Sequence, residues 1–126
     1  MSAFEKSSIQ YFSALKRLEE VLQIPADDII RDSAIQRFEF TIELAWKCIK
    51  LFLEEKKGIV CRAPKDCLRL AFQHGLIDYD EFWLDMIDMR NMTAHSYDEQ
   101  ISKEIYSELK NALRRFRKLK EALQQK

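Results

Sequence analysis

The chain has 126 residues, 47% hydrophobic and 33% charged, a composition that excludes a disordered or membrane chain and allows one continuous core. With only two Gly and two Pro it lacks the turn-formers of a β-sandwich or barrel, so a few long helices are expected. Lys and Arg total 21, as do Asp and Glu, and a net charge of zero argues against indiscriminate binding to nucleic acid or membrane.

Ile9, Phe12, Leu15, Leu18 and Leu22 recur at three- and four-residue steps, which predicts an amphipathic helix over about residues 3 to 24, ending before Pro25. Met1 to Ser8 carries no apolar run able to act as a secretory signal, and no stretch approaches the roughly 20 apolar residues of a membrane span. A cytoplasmic chain is expected. The second helix, from about Asp28 or Ser33 to Lys57, is the longest, with Gly58 as a left-handed terminator. Ile35, Phe38, Phe40, Ile42, Leu44, Ala45, Trp46, Ile49, Leu51, Phe52 and Leu53 cover most of its circumference, so it should be central. Glu39, Glu43, Lys47, Lys50 and Glu54 form one polar stripe, read as its wet face.

Residues 59 to 63 read as a short extended connector. Pro64 suits the first turn of a short third helix that closes near Gly75, with His74 beside the last carbonyls. Asp78 and Glu81 match a capping box for a fourth helix over about 79 to 94. A fifth, about 100 to 124, lines up Ile101, Ile105, Leu109, Leu113, Phe116, Leu119 and Leu123. The expected fold is all-α, an antiparallel up-and-down four-helix bundle with one additional short helix, in one domain over 1 to 126. Cys48, Cys61 and Cys67 are odd in number and lack zinc or redox spacing, so three reduced thiols are expected.

Charge is unevenly placed. Asp78 to Glu99 holds seven acids against the single base Arg90, while Lys103 to Lys126 holds eight bases against three acids, densest from Arg114 to Lys120. On the fourth helix, Phe82, Met86, Met89 and Thr93 form one core stripe. Leu84, Ile87, Asn91 and His95 form a second on nearly the opposite side, covered either by a second protein chain or by the fifth helix or the connector.

The stretch Arg90-Asn91-Met92-Thr93-Ala94-His95-Ser96-Tyr97 combines a permanent cation, a group that moves protons near neutral pH, and a hydroxyl. Such a set suits phosphate chemistry: a base takes the ribose 2′-hydroxyl proton, and a cation holds the charge that builds on the phosphoryl oxygens. In regular helix, five residues separate Arg90 and His95 by about 140° and roughly 7.5 Å, so convergence needs a helix break before His95 or two copies meeting across a dimer.

Arg90, His95 and Tyr97 match without a gap the Arg-x4-His-x-Tyr motif of the HEPN superfamily. The stretch Ile35-Gln36-Arg37-Phe38-Glu39-Phe40 to Leu44-Ala45-Trp46-Lys47, and Arg90-Asn91 to Tyr97-Asp98-Glu99, also resemble its HepT branch, encoded beside minimal nucleotidyltransferases. The likeness covers nearly the whole chain. It implies a homodimer whose Arg90 and His95 side chains line a shared cleft, with Asn91 in support. It further implies a ribonuclease toxin that uses no metal or other cofactor and is neutralised by a nucleotidyltransferase antitoxin through AMP transfer to Tyr97. The same family is also read as the non-catalytic substrate- or nucleotide-binding subunit of a two-chain nucleotidyltransferase. Acids near the motif, Asp85, Asp88, Asp98 and Glu99, oppose RNA, so a ribonuclease needs basic residues to offset them, from Arg62, Lys65 and Arg69 or from the last helix.

Overall fold

A computed structural model describes residues 1–126. Six α-helices and one 3-10 turn follow one another without a strand: α1 Ala3–Leu22, α2 Asp28–Lys57, α3 Pro64–Gln73, α4 Glu81–Met92, the 3-10 turn Thr93–His95, α5 Glu99–Ser107 and α6 Leu109–Gln124. The first five α-helices each start on a physical signal. Ser2, Asp27, Asp80 and Asp98 accept hydrogen bonds from backbone N–H groups of the first turns of α1, α2, α4 and α5, and Pro64 opens α3 where no N–H is needed. α2 ends at Gly58, whose φ of 65° allows its N–H and that of Ile59 to reach back to Glu54 and Leu53 carbonyls.

α2 is central, packing on α1, α3, α4, α5 and α6. Thirty buried apolar residues make one core. At its middle, Phe116 of α6 meets Tyr11, Phe38 and Trp83, with ring centroids 6.3, 6.2 and 5.8 Å apart. The Tyr11 hydroxyl donates to the Phe116 carbonyl at 2.8 Å, which satisfies a polar group inside the core. Burial, then the nearby Cys48, pushes the Tyr11 phenol well above its ordinary value. No helix is long and apolar enough to cross a membrane.

Four expectations are corrected. α1 stops at Leu22, two residues early, as Gln23 and Ile24 close it with short-range bonds to Glu20 and Val21 carbonyls. Asp80, not Asp78, caps α4, because its carboxylate is the one that reaches the Phe82 N–H, at 3.0 Å. The last helix is two: Glu108 ends α5 and begins α6, so the axis can shift while Ile105 and Leu109 both stay buried. Cys61 and Cys67 form a disulfide, leaving only Cys48 free; the connector folds back on the first turn of α3 and brings their Cα atoms to 5.4 Å, which a count along the chain cannot reveal.

Candidate active site around Arg90, His95 and Tyr97

α4 buries a face lying between the two stripes expected of it. Trp83, Met86 and Ile87 point into the core at helical spacing, and Arg90, seven residues after Trp83, continues that line. Ile87 is therefore covered by its own chain, whereas Asn91 and His95 are exposed. Arg90 itself emerges half-buried against α2. There its Nε lies 3.3 Å from Glu43 Oε1 and its Nη1 3.9 Å from Glu39 Oε2. The shorter contact has ion-pair distance but poor alignment, so the buried Nε–H has no hydrogen-bond acceptor. That Nε–H is sealed against Glu43, and Nη2, which has no partner and is not buried, is the donor an anion can reach.

After Met92 the helix tightens into the 3-10 turn Thr93–His95, so His95 lies outside regular α-helix. Thr93, buried, organises it: its hydroxyl donates to the Arg90 carbonyl at 2.7 Å and receives a long contact of 3.4 Å from Arg90 Nη1. Beyond the turn His95 is exposed, and Tyr97, 85% exposed, stands with its ring centroid 6.1 Å from the imidazole. The structure thus brings His95 and Tyr97 side by side. It does not join Arg90 to His95 through any hydrogen bond within one chain.

The acids near the motif are largely occupied. Asp88 pairs with Lys65 at 2.8 Å, Glu99 with Lys103 at 3.2 Å, and Asp98 accepts from the N–H groups of Gln100 and Ile101. Their repulsion of a phosphate is weakened accordingly. Glu39 and Glu43 are the residues that sequence reasoning assigned to the wet face; they are only about a third exposed and face Arg90. The available signal was that both flank the fully buried Phe38 and Ile42 on a helix covered nearly all round.

Residues 6–125 match the family described as nucleotidyltransferase substrate binding protein like. The chain belongs to this family, in its HepT-type branch. It is 36% identical over 90 residues, 68% of its own length, to a probable ribonuclease HepT of Haemophilus influenzae, and spans 62% of that relative's length. Among solved structures it is similar to a Thermus thermophilus protein, with a TM-score of 0.85, 34% identity and coverage of 90% of this chain and 98% of that one. A Haemophilus influenzae protein described as having the fold of a substrate binding domain of a nucleotidyltransferase is similar too. Its TM-score is 0.80 and its identity 30%, covering 90% of this chain and 96% of that one. Membership of the family accords with the helical fold.

Proposed function

We propose that this HepT-type chain is a ribonuclease, one domain acting as a homodimer, in which Arg90 and His95 from two copies meet around one RNA phosphate. The observation that carries the reading is a half-buried guanidinium whose Nη2 is unpaired, one 3-10 turn from an exposed imidazole. His95 takes the ribose 2′-hydroxyl proton, the freed oxygen attacks phosphorus, and the 5′-oxygen leaves with the proton returned by the same imidazolium. A 2′,3′-cyclic phosphate and a 5′-hydroxyl result. Arg90 holds the negative charge that gathers on the phosphoryl oxygens in between, and Asn91, exposed one residue on, supports substrate contact.

Tyr97, with its hydroxyl in solvent, is the acceptor of AMP from a nucleotidyltransferase antitoxin: its oxygen gives up its proton to solvent and bonds to the α-phosphorus of ATP as the bond to pyrophosphate breaks. AMP there adds bulk and negative charge beside His95 and blocks RNA. A cytoplasmic location goes with this toxin-antitoxin role.

One observation favours a second reading, a non-catalytic subunit that binds substrate or nucleotide for the nucleotidyltransferase. Glu39 and Glu43 already lie against Arg90, which reduces the charge it offers RNA. The two readings part in one assay, RNA incubated in EDTA with partner-free protein and with the His95→Ala variant. The ribonuclease reading expects cleavage by the first alone; equal background from both favours the binding subunit.

A further inference from the structure

A second concavity lies at the opposite end of α4 from the motif. α4 has 12 residues, so about 18 Å separates its ends. Between the Leu76 to Asp80 loop and α6 is a cleft of about 620 Å³, with Tyr79, Trp83, Arg114 and Lys118 among its walls. That volume suits a ligand the size of one nucleotide.

Beyond the exposed Lys110 in its first turn, the cations of α6 fall into two groups. Arg115 is tied to Asp80 at 2.9 Å and lies over the Phe82 ring at 4.5 Å. Arg117 pairs with Glu19 at 3.0 Å, and the Lys120 ammonium sits 5.4 Å over the Phe12 ring. Arg114 and Lys118, one turn apart on α6, are different. Both are exposed and both line the cleft; Arg114 contacts only the neutral Asn111 side chain, and neither is ion-paired. Tyr79, lining the same cleft, is 68% exposed yet fixed: its ring packs edge-to-face with Phe72 at 5.2 Å and its hydroxyl donates to Glu81 at 3.0 Å. An anchored aromatic ring that is largely exposed is a platform for a nucleobase.

Two carboxylates, Asp78 and Glu121, also line the cleft, while that of Asp80 is taken by Arg115. They disfavour a bare phosphate. They do accept hydrogen bonds from ribose hydroxyls and base amino groups, so ring, cations and acids together call for a ligand with a plane, an anion and donors. We propose that this cleft binds a nucleoside phosphate, its base on Tyr79 and its phosphate at Arg114 and Lys118, either free or as one unit of an RNA strand that continues toward Arg90. The RNA form rests on the ribonuclease reading above.

The test uses full-length His95→Ala protein and three probes: a fluorescent ten-nucleotide single-stranded RNA, AMP and inorganic phosphate. Tyr79→Ala is expected to weaken nucleotide binding about tenfold by loss of stacking. The double change Arg114→Ala with Lys118→Ala should weaken it further and reduce the salt slope of RNA binding by about 1 to 2. AMP that displaces RNA, with both lost together in Tyr79→Ala, identifies the free nucleotide as a ligand. Tyr79-dependent RNA binding that millimolar AMP leaves untouched identifies the strand. Affinities unchanged in both variants, or phosphate competing as well as AMP, overturn the proposal. If binding is Tyr79-dependent but wild-type protein cuts no RNA in EDTA, the ribonuclease reading falls and the cleft stands. If RNA is cut while binding ignores the variants, the cleft alone falls.

Discussion

Arg115 and Arg90 each meet a carboxylate from another element, near the opposite ends of α4, but on unlike terms. Arg115 donates through Nε to Asp80 at 2.9 Å and through Nη1 to the Asn111 carbonyl at 3.2 Å, and its plane covers Phe82. Arg90 sits between two carboxylates at 3.3 and 3.9 Å, and its Nε–H finds no acceptor. The first arginine is satisfied by the fold and fastens α6 to the start of α4. The second is held by charge with donor capacity left over. An ion pair seen in a structure is thus not one kind of thing; alignment separates a fastener from a poised group.

The largest expected effect sharpens this contrast by removing the core behind it. Phe116→Ala deletes a ring touching Tyr11, Phe38 and Trp83 and should cost about 3 to 5 kcal/mol in denaturant unfolding, disturbing both arginines at once. Next, Arg90→Ala should lower the cleavage kcat about 10²- to 10³-fold while the melting temperature stays near wild type. Arg115→Ala should act through stability, at about 1 kcal/mol after allowance for partial exposure, read as a melting temperature lower by roughly 3 to 6 °C. A variant set in which Arg115→Ala is thermally silent and Arg90→Ala unfolds the protein would reverse the comparison. Smaller still, Glu43→Gln removes one negative charge beside Arg90 and should tighten RNA binding by His95→Ala protein a few-fold, with a steeper salt dependence.

The pH response has a definite sign. Tyr11 is held neutral by burial, so its folded pKa lies above its unfolded one of about 10. The stability it contributes is complete below that value and is lost as pH rises through the alkaline range. Melting curves should fall above about pH 10, and Tyr11→Phe should flatten that fall while costing the bond to the Phe116 carbonyl.

Much of the fold was legible because helix signals are local. Pro25, Pro64, Gly58 and Gly75 punctuate the chain, and the apolar spacing in α1 and α6 needs no tertiary knowledge. What escaped depended on packing. Choosing between Asp78 and Asp80 as cap depends on which carboxylate reaches the first turn, and pairing Cys61 with Cys67 depends on the path of the connector. The inward face of α4 falls between the two stripes that apolar spacing suggests because Trp83, which belongs to neither, packs into the core and turns Arg90 toward α2. Arg90, His95 and Tyr97 stood out because the resemblance lies in contiguous residues. Glu39, Glu43 and Thr93 did not, since their importance exists only where α2 crosses the end of α4.

The account turns on Arg90 and His95 acting from different copies, and this is tested most directly by mixing two inactive proteins. Arg90→Ala and His95→Ala chains, co-refolded in equal amounts, form mixed dimers in which one of the two sites regains both groups. With half the dimers mixed and one site of two restored, cleavage should return to about a quarter of wild type. A mixture no more active than either variant alone, with mixed dimers demonstrated, would contradict the account.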